Sequence, residues 1–289
     1  MAMLLADSNA LRNPDLRAYL NASRDHLIAL SDLTLIEMRK RNALSTSRES
    51  LLIVSAFPSQ VFVLKRTHEL LEFDITTSDD VDLLFDYDAG IELGHLAKGL
   101  MALPASEALK ARMTELEEEA VNVISELGKQ MAGLEEALVD ITKEFKQSQI
   151  RELRTGENVS DTTREILFRL LKETTARFFL DNQPLPRRKG IKLIKARGMF
   201  AFRYSLCMMI YYILWVQTGR QTGRAAHLRI NDVIDMQLAA LSTYFNGVLS
   251  NDGLVWDTSR AARAILRRYG AYVGDDWVLP EKLGGRPSA

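Results

Sequence analysis

Short apolar runs alternate with amphipathic segments over about the first 65 residues, and this order constrains the fold more than any other feature of the sequence. The runs at residues 3–6 (MLLA), His26–Leu30 (HLIAL) and Val61–Leu64 (VFVL) have the length and composition of buried strands. The segments between them are typical of helices. A strand–helix–strand–helix–strand order indicates a parallel sheet covered by helices, so the sequence predicts an α/β fold.

Capping residues predict where the intervening helices begin. Asn13 is a suitable cap for the first helix, and Pro14 suits the first helical position. Ser31–Asp32 is predicted to cap the second helix, whose interior carries Glu37. Each helix is therefore expected to start soon after a strand ends.

The alternation of helix and strand resumes near residue 232. Asn231–Asp232 is predicted to cap a helix, after which Val248–Ser250 forms a strand that leads into Asp252. Thr258–Ser259 is predicted to start a last helix, and Tyr272–Val273 to add an edge strand. The core is therefore expected to combine segments from both ends of the chain.

A proline-free, strongly helix-forming stretch at residues 105–153 separates these two parts. Its apolar residues follow a heptad pattern with one four-residue insertion, and Gly128 and Gly133 lie near that discontinuity, which allows a kink or a break. Two interpretations stay open: the stretch folds back on its own protein as a helical hairpin, or it projects as an arm for a homodimer or a regulatory protein. The predicted domains are residues 1–104 and 187–289, which form one core, and a helical insertion at residues 105–186.

The net charge of −1 hides charges that are separated along the chain. Residues 69–92 contain nine acidic residues and no Lys or Arg, whereas residues 182–231 contain ten Lys or Arg and no acid. Such a basic stretch suits a nucleic-acid backbone, because each cation that contacts a phosphate releases a counterion. A solvated loop and helix, or a segment docked on the acidic stretch, would have the same composition. The candidates for nucleic-acid contact are Arg187, Arg188, Lys189, Lys192, Lys195 and Arg197.

Several classes of protein are excluded by the sequence. The single cysteine, Cys207, allows neither an internal disulfide nor a cysteine-based zinc cluster, and its apolar surroundings predict that it is buried. The most apolar stretch, Met199–Val216, is interrupted by Arg203, which favours a buried helix over a membrane span. The first residues lack the basic segment of a secretory signal peptide, so a cytoplasmic location is expected.

Four acidic residues stand at positions where a parallel α/β sheet gathers its ligands. Asp7 and Asp252 follow predicted strands. Glu37 lies one turn into the second helix, and Asp235 lies in the first turn of the helix before the last strand. Because the carboxyl ends of parallel strands meet at one edge, all four side chains can face one crevice. Carboxylates held together repel one another unless a cation neutralises them, and oxygen ligands suit Mg²⁺ or Mn²⁺.

Structural roles are also open to these acids. An Asp after a strand commonly caps a helix, and Glu37 has Arg41 four residues further on as a partner for an ion pair. Asp232, one turn before Asp235, is an added candidate ligand whose simpler role is a helix cap. Asp257 is expected to be a cap or a solvated charge.

Three segments that carry these acids resemble the motifs of PIN-domain nucleases. LLADSNAL is similar to the opening strand of that family, SDLTLIEMRK to its second motif, and DMQLAALSTYFNGVLSND to its third and fourth. The 17 residues from Asp235 to Asp252 suit a helix, a tight turn and a strand. The resemblance covers about the first 40 residues and residues 228–270. It implies a three-layer α/β/α core with a central parallel sheet, which the long helical insertion interrupts here.

The resemblance also implies metal-dependent hydrolysis of phosphodiester bonds, usually in RNA and less often in DNA. The implied catalytic acids, which would hold one or two Mg²⁺ or Mn²⁺ ions, are Asp7, Glu37, Asp235 and Asp252. Asp232 is an added ligand, while Asn9 and Ser250 would orient water or ligands around the ions.

Three functions are compatible with these features. The leading hypothesis is a metal-dependent endoribonuclease of a toxin-like or defence type. The second is a catalytically degenerate PIN-like protein that binds a partner through residues 105–153. The third is a structure-selective DNA nuclease of the related flap-endonuclease class, which is less favoured because the sequence shows neither a larger acidic set nor a helical DNA-binding motif.

Overall fold

The computed structural model of the chain describes residues 1–72, 81–181, 196–220, 222–223 and 225–276. Its strands are β1 (Ala2–Ala6), β2 (His26–Leu30), β3 (Val61–Val63) and β4 (Val248–Leu249). They form one parallel sheet in the order β3-β2-β1-β4. The first strand thus lies beside the last, with Leu5 in register with Val248.

Helices cover both faces of the sheet, and every residue of β1 is buried. Successive side chains of a strand point to opposite faces. Leu5 and Ala29 accordingly belong to one hydrophobic cluster, and Leu4 and Ile28 to the other. Near-continuous apolar runs are what strands buried on both faces require. The predicted α/β fold with a central parallel sheet is confirmed.

Twelve α-helices occur among the described residues. In chain order they are α1 (Pro14–Ala22), α2 (Asp32–Arg39), α3 (Ala43–Val54), α4 (Thr67–Glu72), α5 (Tyr87–Met101), α6 (Glu107–Gln130), α7 (Leu134–Lys143), α8 (Gln147–Thr155), α9 (Asp161–Asp181), α10 (Phe200–Gln217), α11 (Ala226–Ser242) and α12 (Gly253–Arg268). Helices α1, α3 and α5 pack on one face of the sheet, and α10, α11 and α12 on the other. The predicted caps Asn13 and Ser31 are confirmed, since the side chain of each accepts a backbone N–H in the first turn.

The stretch at residues 105–153 folds back on the protein as the three helices α6, α7 and α8. The apolar side of α6 is buried through residues such as Met113 and Ala120, and this helix packs against α2, α3 and α11. Gly128 allows the close approach to α11, because a Cβ atom there would meet the Cδ1 atom of Ile230 at 3.2 Å. Of the two interpretations of this stretch, folding back is the one observed.

Two helices begin earlier than the sequence predicts. Helix α11 starts at Ala226, so Asn231–Asp232 lies inside the helix and does not cap it. Helix α12 starts directly after Asp252, which caps it, so Thr258–Ser259 also lies inside a helix. Asp257 is no cap either, and its partly exposed carboxylate lies on the surface of α12. In both helices the turn before the expected cap is already helical.

The predicted edge strand at Tyr272–Val273 is wrong, since residues 271–276 form an irregular segment held by buried arginines. Arg203 of α10 donates to a carbonyl of this segment at 2.7 Å. Arg263 of α12 donates to a second carbonyl and, at 2.9 Å, to the carboxylate of Asp276. These charge-assisted hydrogen bonds occupy carbonyl groups that a strand would pair with its neighbour.

The apolar run Met199–Val216 forms a buried helix, as the sequence predicts. Most residues of α10 are buried, including Arg203. Cys207 is completely buried, and burial raises the pKa of its thiol. In the part of the chain that the structure describes, no helix is both long and apolar enough to cross a membrane.

Replacing Arg263 by alanine should lower the free energy of unfolding by about 3 kcal/mol. Its side chain is only 5% exposed and also donates to the backbone carbonyls of Ser242 and Phe245. Removal of the guanidinium therefore leaves buried acceptors without this donor. Urea unfolding should be compared with Arg260→Ala on the exposed side of the same helix, for which a loss below about 0.5 kcal/mol is expected. Equal losses for the two variants would contradict the role of Arg263.

Candidate functional site

The carboxyl ends of the strands place the four expected acids at one edge of the sheet. Asp7 directly follows β1, and Asp252 lies three residues after β4. Glu37 is carried by α2, which begins just after β2. Asp235 is carried by α11, which leads into β4, although it lies in the middle of that helix and not in its first turn. Since all four strands are parallel, the elements that carry these acids meet at the same edge.

Asp7 is held firmly by its neighbours. The residue is 4% exposed, and its carboxylate accepts hydrogen bonds from Ser8 N at 2.5 Å, Asn9 Nδ2 at 2.6 Å and Ser250 Oγ at 2.7 Å. Burial raises the pKa of Asp7 and the charge of Glu37 adds to the rise, whereas the hydrogen bonds from Ser250 and Ser8 oppose it. The net pKa lies above its ordinary value, so this site disfavours negative charge.

Glu37 is connected to Asp7 through Ser8. The hydroxyl group of Ser8 donates to Glu37 Oε2 at 2.7 Å and lies 3.3 Å from Asp7 Oδ1. The other oxygen of Glu37 accepts a hydrogen bond from Lys40 Nζ at 3.3 Å, so Lys40 is its ion-pair partner where Arg41 was expected. Sequence reasoning gave Ser8 no role, although it stands between Asp7 and Asn9 in the quoted motif LLADSNAL.

Asn9 and Ser250 support the loop that carries Asp252. Ser250 Oγ accepts the N–H of Asp252 at 3.0 Å while it donates to Asp7. Asn9 Oδ1 accepts the N–H of Asn251 at 3.0 Å, while its amide group donates to Asp7. The carboxylate of Asp252 caps α12, so the capping role considered for this residue is real. Both Asn9 and Ser250 thus lie between the acids, where the resemblance implied them.

The pKa of Asp235 shows which other acids lie close enough to affect its carboxyl group. Burial raises the pKa of Asp235 to about 8, together with negative charges on four other residues. In decreasing order of effect these are Asp252, Asp7, Asp232 and Glu37. The four expected acids and Asp232 therefore interact electrostatically and form an acid cluster. Strongly perturbed groups of this kind concentrate at functional sites.

Asp232 joins the acid cluster from inside α11. It is 5% exposed, and its Oδ2 atom accepts a hydrogen bond from the hydroxyl group of Tyr211 at 2.7 Å. Asp235 follows three positions later in the chain, which places both on one face of the helix. The capping role considered for Asp232 is wrong because the helix begins at Ala226. Its burial beside other acids leaves the role of an additional ligand open.

The acid cluster has the negative charge that attracts a cation, but its side chains are not arranged as a complete set of metal ligands. Its donors are carboxylate oxygens, which suit Mg²⁺ and Mn²⁺. A cation would also neutralise the repulsion that raises the pKa of Asp235. Among the described residues, no three His, Cys, Asp or Glu side chains are arranged so that they would hold a metal ion as they stand. The donor chemistry fits a hard divalent cation, and the side-chain positions are not those of a complete ligand set.

A second polar network, which the sequence did not predict, fixes the helices that carry two of the acids. The carboxylate of Asp32 accepts hydrogen bonds from Thr67 N at 2.8 Å and Thr67 Oγ1 at 2.9 Å. Thr67 Oγ1 also lies 3.4 Å from Gln237 Oε1. Burial raises the pKa of Asp32, and the hydrogen bonds from Thr67 oppose the rise. The network joins α2, which carries Glu37, to α11, which carries Asp235.

The basic residues expected to contact a nucleic acid lie mostly outside the described part of the chain. These are Arg187, Arg188, Lys189, Lys192 and Lys195. Arg197 is described, and its guanidinium donates to the backbone carbonyl of Tyr269. Residues 73–80 of the acidic stretch also lie outside the described residues. The nucleic-acid contact through this segment stays a prediction.

The likeness to PIN domains rests on the quoted motifs and on the acids that they carry. A parallel α/β sheet covered by helices agrees with the coarse part of that likeness. Comparison of the chain with protein-family models, with curated proteins and with solved structures gives no match, so it assigns the chain to no family.

Proposed function

We propose that the chain is a metal-dependent endonuclease with a PIN-like site, which hydrolyses phosphodiester bonds, most favourably in RNA. One observation carries the proposal: the pKa of Asp235 is raised to about 8, partly by the charges of four other acids. Burial of a carboxyl group, with repulsion from four other acids added to it, is costly for a protein that only has to fold. It is the expected property of a site that binds a cation.

The acid cluster offers a suitable set of oxygen donors. The residues that would hold Mg²⁺ or Mn²⁺ are Asp7, Glu37, Asp232, Asp235 and Asp252. A divalent cation held there would supply Lewis-acid activation of water and of the phosphodiester. Because the described side chains do not form a complete ligand set, cation binding would have to draw carboxylates closer together.

The other residues of the site would orient the acids. Ser8, Asn9 and Ser250 donate hydrogen bonds that fix the carboxylate of Asp7, and such support commonly sets the affinity of a metal site. Asp7 faces the protein interior, whereas Asp252 is exposed. A substrate would therefore approach from the side of Asp252.

The competing hypothesis of an interaction protein has less support. Its expected binding arm, residues 105–153, buries Met113 and Ala120 of α6 against the protein itself. A partner would have to use the exposed remainder of that helix, including Val121 and Val123, which are 50% and 39% exposed. Scattered apolar residues of this kind are normal on a protein surface.

Cleavage of a labelled single-stranded RNA by the purified protein tests the proposal. We expect cleavage with Mn²⁺ or Mg²⁺, loss of cleavage in EDTA, and recovery when Mn²⁺ is added in excess. A DNA of the same sequence should be cleaved more slowly. The variant Asp257→Asn is a suitable control, because this acid lies on the surface of α12 outside the acid cluster. Undiminished cleavage in EDTA would contradict the metal, and failure to cleave either nucleic acid with any divalent cation would favour the interaction protein.

A further inference from the structure

Tyr211 contacts the acid cluster from a helix that the motifs do not include. Its hydroxyl group donates to Asp232 Oδ2 at 2.7 Å, and the two residues are 7% and 5% exposed. Tyr211 belongs to α10, which packs along α11, the helix that carries Asp232 and Asp235. The helical layer beneath the site therefore supplies a directed donor to one of its carboxylates.

A buried hydrogen bond of this kind fixes the orientation of a carboxylate. Asp232 sits inside a helix, so its backbone cannot shift without disturbing α11, and its orientation depends on the two side-chain torsions. A phenol hydroxyl donates along one direction and belongs to a ring that packing holds in place. The hydrogen bond is stronger in this environment than in water, because the surrounding dielectric constant is low. Tyr211 thus contributes a directed hydrogen bond to the orientation of the Asp232 carboxylate.

We propose that Tyr211 is a positioning residue of the cation site, which holds Asp232 in the orientation in which it serves as an additional oxygen donor beside Asp235. This inference rests on the proposed function, since it assigns Tyr211 a part in the same site. The neighbouring residue Tyr212 has a different partner, because its hydroxyl group lies 3.4 Å from Thr142 Oγ1 in α7. Of these two adjacent buried tyrosines, Tyr211 is the one whose hydroxyl group donates to an acid of the cluster.

Calorimetric titration of the protein with Mn²⁺ measures the dissociation constant of the cation and tests the inference without relying on catalysis. Tyr211→Phe removes one hydroxyl group and should raise the dissociation constant for Mn²⁺ about tenfold, because loss of a hydrogen bond to a metal ligand typically weakens binding by about 10- to 100-fold. Tyr212→Phe, the matched control, should bind Mn²⁺ as the wild type does. Thermal unfolding of each variant confirms that the fold is kept.

A double-variant cycle separates positioning from a general structural effect. Asp232→Asn should weaken Mn²⁺ binding at least as much as Tyr211→Phe does. If Tyr211 acts through Asp232, the double variant binds no more weakly than Asp232→Asn alone, within about twofold. Losses that multiply would mean that Tyr211 acts by another route, and the inference would be wrong.

Other results of the same titrations would also overturn the role of Tyr211. Wild-type affinity in Tyr211→Phe overturns the inference and leaves the proposed function intact. Wild-type affinity in Asp232→Asn does the same, and this variant keeps an oxygen to which Tyr211 can donate, so it does not depend on the folding of Tyr211→Phe. Absence of Mn²⁺ binding in the wild-type protein would overturn the proposed function and the inference together.

Discussion

Replacing Asp7 by asparagine should lower the rate of metal-dependent RNA cleavage about 1,000-fold, the usual scale for losing a charged group from such a site. The variant loses a carboxylate oxygen donor at the most buried point of the acid cluster. It should nevertheless stay folded, because the burial that raises the pKa of Asp7 opposes its charge, and asparagine carries none. A loss of activity without a loss of stability is the expected signature.

The cleavage rate of Asp7→Asn should be measured beside that of Asp257→Asn, with the unfolding temperature of both recorded. Asp257 is a partly exposed acid of α12, so its variant should keep the wild-type rate. Retention of more than a tenth of the wild-type rate by Asp7→Asn would argue that the acid cluster is not the site of cleavage. A contaminating nuclease would be recognised by equal rates in all preparations.

Replacing Asp235 by asparagine should stabilise the cation-free protein at alkaline pH by an amount on the order of 2 kcal/mol. The pKa of Asp235 in the folded protein is about 8, well above its ordinary value of 3.8. A shift of this size corresponds to several kcal/mol. The smaller figure allows for solvent screening, since Asp235 is only partly buried.

The direction of the pH dependence follows from the raised pKa. Below about pH 4, Asp235 is protonated in the folded and the unfolded chain, and burial costs little. As the pH rises from about 4 to 8, Asp235 loses its proton in the unfolded chain but keeps it in the folded protein. The free energy of unfolding therefore falls over this range. Above about pH 8 the loss is complete. Asp235→Asn removes this contribution, so its advantage over the wild type should grow with pH.

Urea unfolding in EDTA at about pH 6 and about pH 9 measures the effect. The difference between variant and wild type is the quantity of interest, because titrations common to both proteins cancel. Addition of Mn²⁺ should stabilise the wild type at the higher pH and have little effect on Asp235→Asn. A pH-independent difference between wild type and Asp235→Asn would contradict the repulsion within the acid cluster.

The sheet and its acids could be predicted because their signals are local. Short apolar runs correspond to strands buried on both faces, and Asn13 and Ser31 mark helix starts through side-chain hydrogen bonds within one turn. Asp7 and Asp252 follow strands, so a parallel order alone places them at one edge. The strands, the helix caps and the positions of these acids could be inferred from neighbouring residues and from the rule that parallel strands end at one edge of the sheet.

Features that depend on tertiary contacts could not be predicted in this way. Asn231–Asp232 has the composition of a helix cap, but Tyr211 of another helix satisfies Asp232, and α11 starts earlier. Tyr211 itself lies in an apolar run where nothing marks it as a polar contact. Tyr272–Val273 has the composition of an edge strand, yet Arg203 of a distant helix donates to the carbonyl of Tyr272. In each case the partner is distant in sequence.

The pairing of β1 with β4 determines when the acid cluster can be completed during synthesis of the chain. Asp7 and Ser250, which share a hydrogen bond, are 243 residues apart. Synthesis proceeds at about 5 to 20 residues per second, so roughly 10 to 50 s separate their emergence from the ribosome. During that interval the acid cluster lacks Asp235 and Asp252. Under the proposed function, the chain would therefore cleave no RNA until the residues up to Asp252 have been synthesised and have folded beside Asp7.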